Sequence, residues 1–137
     1  MLHSVLLVDD DETDRHLLMR DLTRIRVDAP VLECVDGDEA LRLLLRYGPD
    51  AEESPPRLIF LDINMPVVDG FGFLDAFAKL REQRGALKAC RVLMFTSSDL
   101  PADRERALGF AFVAGYLVKG EARPGELDRA IQGALAV

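Results

Sequence analysis

Short apolar runs alternate with amphipathic stretches along this chain. Ser4–Val8 and Arg57–Leu61 are apolar at almost every position, which is typical of strands covered on both faces of a parallel sheet. Pro30–Val35, Ala89–Phe95 and Gly115–Val118 are further runs of this kind. The pattern therefore predicts five strands.

Apolar residues at helical spacing follow each of these runs and predict five helices. The first is expected to end near Arg26 and the third near Gly85, which suits a C-cap. Pro101 is predicted in the first turn of the fourth helix, after the polar residues 96–99, which we expect to cap it. Pro124 opens the fifth.

Five strand–helix units in strict alternation predict an α/β fold with a parallel sheet. The length of 137 residues suits one domain. We expect residues 1–137 to form that domain without an output domain. The apolar runs are too short for a membrane span, and we expect no signal peptide.

Charge and cysteine usage indicate an ordinary acidic protein of the cytoplasm. The net charge of −7 disfavours nonspecific binding to nucleic acid or anionic lipid; it suits either a basic partner or a generic acidic surface. Cys34 and Cys90 lie inside apolar runs. We expect both to be buried free thiols, with a disulfide, metal site or redox switch as the alternative.

Polar residues follow four of the five predicted strands, and parallel strands deliver such residues to one edge of the sheet. These residues are Asp9 and Asp10, Asp62, Thr96 and Ser97, and Lys119.

Three carboxylates at one edge need a cation, and oxygen ligands with room for water suit Mg²⁺. Asp62 can then act as a nucleophile toward a phosphoryl group. The metal, Lys119 and the Thr96 hydroxyl would stabilise the charge on the phosphoryl oxygens.

The chain resembles the receiver domain of bacterial two-component response regulators over nearly its whole length. The resemblance is carried by Val8–Asp11, by Leu61–Pro66 followed by Asp69–Gly70, by Phe95–Ser97 and by Tyr116–Lys119. It implies a doubly wound, flavodoxin-like sheet of five parallel strands in the order 2-1-3-4-5.

The same resemblance implies a phospho-acceptor role for Asp62. It implies that Mg²⁺ is held by Asp10, Asp62 and the backbone carbonyl of Asn64, with Asp9 assisting through water.

Residues on the other side of the pocket are implied to sense the phosphoryl group. Lys119 would pair with its oxygens, Thr96 would hydrogen-bond to it, and the small Ser97 would leave room for it. Tyr116 would rotate inward as a switch, the plain alternative being a half-exposed strand aromatic.

The implied function is phosphorelay signal transduction with a histidine kinase or phosphotransfer protein as donor. A downstream protein would bind the face of helix 4, strand 5 and helix 5, without direct DNA or membrane binding, as a monomer or as a homodimer through that face. Such a module is not an enzyme beyond weak self-phosphorylation and self-dephosphorylation.

Three features depart from the family pattern. Gly120 stands where the family has a proline that is joined to the lysine by a cis bond. A cis bond before any residue other than proline is costly, so we expect the bond between Lys119 and Gly120 to be trans, or else strained. The loop Gly48–Pro56 is long and is either a surface insertion or a partner contact. Together with Thr96–Ser98, it resembles the corresponding segments of the single-domain regulators that accompany bacterial phytochrome kinases. Arg106–Ala114 is apolar and predicts either core packing or an interaction surface.

Two other hypotheses remain. A phosphatase or mutase with an aspartyl nucleophile would share the chemistry but needs an acid at the position of Asn64. A folded but inactive receiver is supported by Gly120 alone.

Overall fold

The computed structural model describes residues 4–136. Within that range the chain alternates five strands with five α-helices, as predicted. The strands are Val5–Val8 (β1), Val31–Cys34 (β2), Leu58–Leu61 (β3), Arg91–Thr96 (β4) and Val113–Val118 (β5). The helices are Glu12–Arg24 (α1), Gly37–Leu44 (α2), Gly70–Gln83 (α3), Pro101–Leu108 (α4) and Pro124–Leu135 (α5).

The strands form one parallel sheet in the order β2-β1-β3-β4-β5, so the expected flavodoxin-like fold is confirmed. The register places Val8 opposite Leu61 and Thr96 opposite Val118. Because all strands run the same way, the residues that follow them emerge at one edge. This edge carries the polar residues described below.

Apolar side chains fill both sides of the sheet, since successive strand residues point to opposite faces. On one side, Leu6 and Ile59 pack in a cluster with Phe73 of α3. On the other side, Leu7 and Phe60 belong to a second cluster with α1 and α5. The continuously apolar runs of β1 and β3 thus reflect burial on both faces.

Two predicted helix caps are wrong, although both helix ends lie where they were predicted. The C-cap residue of α3 is Arg84 in an extended conformation, and Gly85 begins a short 3₁₀ helix, Gly85–Ala89. This helix inserts the fully buried Leu87 into the core. The N-cap of α4 is Leu100 without a side-chain cap, although Pro101 does open the helix. Ser98 bonds to Asp103 inside the helix instead, at 2.6 Å.

The loop between α2 and β3 is irregular, as predicted. Phe112 is buried edge-on against Phe77, with ring centroids 5.3 Å apart, which confirms core packing for that residue. Cys34 and Cys90 are buried free thiols, as expected.

In the part of the chain that the structure describes, no helix combines the length and apolarity needed to cross a membrane. Residues 4–136 contain no cis peptide bond. The bond between Lys119 and Gly120 is therefore trans, and Gly120 takes a φ of +82°.

Candidate functional site

The sheet brings Asp9, Asp62 and Lys119 together by extending its backbone ladder one residue past the strands. The Asp62 N–H donates to the Val8 carbonyl at 3.0 Å, and the Lys119 N–H donates to the Thr96 carbonyl at 2.8 Å. Each functional residue thus starts from a backbone position held by the neighbouring strand. These backbone hydrogen bonds fix the starting positions of the site residues.

The Lys119 ammonium lies among carboxylates. Its Nζ is 2.6 Å from Oδ2 of Asp9, 3.1 Å from Oδ2 of Asp62 and 2.8 Å from Oδ2 of Asp14. The Lys119 side chain is only 13% exposed, so these ion pairs are poorly screened by water. A lysine ammonium has three N–H donors, and these three contacts can use all of them.

Burial and charge act in opposite directions on two of these groups. Burial raises the pKa of the Asp9 carboxyl, and the hydrogen bond and charge of Lys119 only partly offset it. Burial by itself lowers the pKa of the Lys119 ammonium. Its hydrogen bonds to Asp14 and Asp9 and the charge of Asp62 outweigh burial, so the pKa of Lys119 is raised. Lys119 is therefore a cation at neutral pH.

Asp62 is buried, and both of its carboxylate oxygens have contacts. Oδ1 accepts the Ile63 N–H at 2.7 Å, and Oδ2 faces Lys119. The start of α3 packs directly on this segment: a methyl group on Gly70 would lie against the Asp62 carbonyl oxygen and 2.7 Å from the Ile63 Cα. Glycine is therefore required here by close approach.

The carboxylates of Asp9, Asp10 and Asp62 form a cluster suited to a hard cation. One oxygen from each lies within 4.8 Å of the others. Asp9 and Asp62 are buried, whereas Asp10 is exposed, which leaves space for water ligands. This donor set fits Mg²⁺. Asn64 lies in the exposed loop two residues after Asp62, and its carbonyl as a ligand stays a prediction.

The predicted sensing residues lie at the end of β4, directly after it, and within β5. Thr96 is fully buried at the end of β4, and its hydroxyl accepts the Ser98 N–H at 3.3 Å. Tyr116 is 8% exposed, and its hydroxyl donates to the Ser98 carbonyl at 2.9 Å, which rules out a half-exposed aromatic. Ser97 is exposed. Their parts in sensing stay predictions.

Sequence reasoning missed Asp14 and Arg15. Asp14 contacts Lys119, whereas Arg15 donates to the Asp9 carbonyl at 2.7 Å and pairs with Glu33 at 2.8 Å. Both lie in the first turns of α1, where acidic residues usually serve the helix dipole. Their position a few residues after Asp9 and Asp10 could have drawn attention to them. The sequence does not indicate, however, which way the two side chains point.

The chain matches known proteins along most of its length. Residues 5–132 match the family model described as response regulator receiver domain. The "Probable chemotaxis protein CheY" of Rhizobium etli is 32% identical over 95 residues, which are 69% of this chain and 65% of that protein. The chain thus spans slightly less than two thirds of this curated relative.

Solved structures of response regulators also match this chain along most of its length. The bacteriophytochrome response regulator RtBRR is 32% identical, with a TM-score of 0.77, covering 98% of this chain and 78% of that one. The Mn²⁺-bound form of response regulator Rcp1 is 26% identical, with a TM-score of 0.70, covering 93% and 88%. A divalent metal therefore binds in a similar fold.

Proposed function

The chain belongs to the response regulator receiver domain family, and we propose that it accepts a phosphoryl group on Asp62 from a histidine kinase or a histidine phosphotransfer protein. The carrying observation is that the buried Asp62 carboxylate lies 3.1 Å from the Lys119 ammonium. A carboxylate oxygen of Asp62 forms the bond to phosphorus while the bond from phosphorus to the imidazole nitrogen breaks. The bonding electrons leave with the imidazole.

Mg²⁺ is the proposed cofactor, held by Asp9, Asp10, Asp62 and the backbone carbonyl of Asn64. The supporting observation is the oxygen cluster at the strand ends, whose members lie within 4.8 Å of each other. Once bound, the metal would offset charge on the phosphoryl oxygens. Lys119 contributes its own positive charge to the same oxygens.

The proposed output is a change in a protein-binding face. Thr96 hydrogen-bonds to the phosphoryl group, and Tyr116 follows it as a switch residue. Both already contact Ser98, through hydrogen bonds of 3.3 and 2.9 Å, so the loop after β4 couples them. The face of α4, β5 and α5 then binds a downstream protein or a second copy of the chain.

We also infer the class of phosphoryl donor and the cellular location. Receiver domains are signalling proteins rather than classical enzymes, and self-phosphorylation from small donors is expected to be weak. The likeness to RtBRR supports a phytochrome-type histidine kinase as the donor. The cytoplasm suits the free thiols of Cys34 and Cys90.

Incubation with Mg²⁺ and a small donor such as acetyl phosphate tests the proposal. Wild-type protein should gain the mass of one phosphoryl group in a base-labile linkage, and Asp62→Asn should not. Asp50→Asn, an exposed acid in the loop before β3, is the control and should react like wild type. A wild type without an adduct would refute the proposal. Rapid turnover of phosphomonoesters would favour the phosphatase hypothesis instead.

A further inference from the structure

Asp14 occupies a special place among the partners of Lys119. Asp9 and Asp62 are the proposed metal ligand and phospho-acceptor, so both engage other groups during the reaction. Asp14 has neither role, yet its Oδ2 lies 2.8 Å from the Lys119 Nζ. It can therefore remain paired with Lys119 when the other two carboxylates are occupied.

Local hydrogen bonding directs Asp14 toward Lys119. Asp14 is the third residue of α1, and its backbone N–H donates to Oδ1 of the N-cap Asp11 at 3.1 Å. An acidic side chain at this position ordinarily reaches back to the backbone N–H of the N-cap. Here Oδ1 of Asp9 accepts that N–H at 2.9 Å. The carboxylate of Asp14 is left to reach across the pocket.

The residue after Lys119 is a glycine, so it offers no side chain to pack against the lysine. Gly120 is exposed, and a methyl group placed on it would meet no described atom within 4 Å. A lysine side chain loses about 1.5–2 kcal/mol of rotamer freedom when it is ordered. The orientation of Lys119 therefore depends on the groups that its ammonium contacts.

We propose that Asp14 is a positioning residue that holds the Lys119 ammonium beside Asp62 for phosphoryl transfer. This inference rests on the proposed function. Asp14 acts from α1, across the pocket from β5, and touches neither the phosphoryl group nor the metal. Its carboxylate supplies a restraint on the ammonium that Gly120, which has no side chain, does not.

The test compares Asp14→Ala, Asp14→Asn and Glu12→Ala. Glu12 is a matched control, because it is an exposed acid in the same helical turn, so its loss removes the same charge from the same dipole. With acetyl phosphate and Mg²⁺, Asp14→Ala should lower the maximal phosphorylation rate about tenfold, as supporting residues of a site typically do, with the half-saturating donor concentration unchanged. Asp14→Asn keeps an acceptor oxygen and should recover most of the rate.

A second readout needs neither metal nor donor. The Lys119 ammonium should give a slowly exchanging NMR signal in wild type and Glu12→Ala, and a weakened one in Asp14→Ala. Equal rates for Asp14→Ala and Glu12→Ala would overturn the inference, whatever the NMR signal. A wild type that takes up no phosphoryl group would instead refute the proposed function. Thermal unfolding of each variant establishes that it is folded.

Discussion

The Lys119 ammonium lies 3.1 Å from the Asp62 carboxylate, although 57 residues separate them in the chain. The same nitrogen lies within 2.8 Å of Asp9 and of Asp14. One cation thus offsets the charge of several buried or half-buried carboxylates. The stability of this edge of the sheet should depend on Lys119 and on any metal that joins it.

Lys119→Met should lower the free energy of unfolding at neutral pH by about 3 kcal/mol, because removing one partner leaves buried charges uncompensated. Adding MgCl₂ should recover part of this loss through binding to the native state. Urea unfolding with and without MgCl₂ measures both effects. Lys79→Met, at an exposed position of α3, is the control and should change little. An equal loss in both variants would contradict the charge argument.

The raised pKa of Lys119 gives this loss a pH dependence. The native state holds the ammonium proton more tightly than the unfolded chain does, so the stabilisation is complete below the ordinary lysine pKa of 10.5. It declines as the pH rises from there through the raised native pKa. The difference between wild type and Lys119→Met should therefore shrink only in strongly alkaline solution.

Asp9→Asn should raise the stability of the metal-free protein. Burial raises the pKa of Asp9, so the ionised carboxylate is costly in the native state at neutral pH. The wild type binds the Asp9 proton more tightly when folded, so the advantage of the variant should fade as the pH falls through the raised native pKa and should be gone below the ordinary value of 3.8. Urea unfolding against pH measures this, with Asp50→Asn as the exposed control. Stabilisation by Mg²⁺ should weaken in Asp9→Asn, and an unchanged response would count against Asp9 as a ligand.

Gly70→Ala should destabilise the protein by about 1–3 kcal/mol, because the added methyl group meets the backbone of Asp62 and Ile63. Gly133→Ala is the matched control in α5, where the methyl group meets no described atom within 4 Å. It should stabilise the helix by about 0.5–1 kcal/mol. Thermal unfolding compares the two. A neutral Gly70→Ala would mean that α3 can shift away from the site.

Tyr116→Phe should cost about 0.5–1.5 kcal/mol through loss of the hydrogen bond to the Ser98 carbonyl. Amide hydrogen exchange should rise in residues 97–100, since the hydroxyl connects β5 to that loop. Tyr47→Phe is the control: Tyr47 is 7% exposed and lines a cleft with Ser4 and Pro30 at the opposite edge. Faster exchange in residues 97–100 of that control would argue against a local effect of Tyr116.

The alternation of buried strands and amphipathic helices was enough to predict a parallel α/β sheet, and the family motifs implied its strand order. In such a sheet, strand ends lie at one edge whatever the details of packing. The sequence by itself therefore placed Asp9, Asp62 and Lys119 at a common site.

The tertiary structure decided how the side chains meet. Asp14 and Lys119 are 105 residues apart, and their contact depends on how α1 packs on the sheet. Tyr116 is likewise buried by packing in a core cluster, where its hydroxyl reaches the Ser98 carbonyl. Strand ends follow from backbone hydrogen bonding, which repeats regularly along the chain. Side-chain pairing depends on distances between separate elements, which packing alone determines.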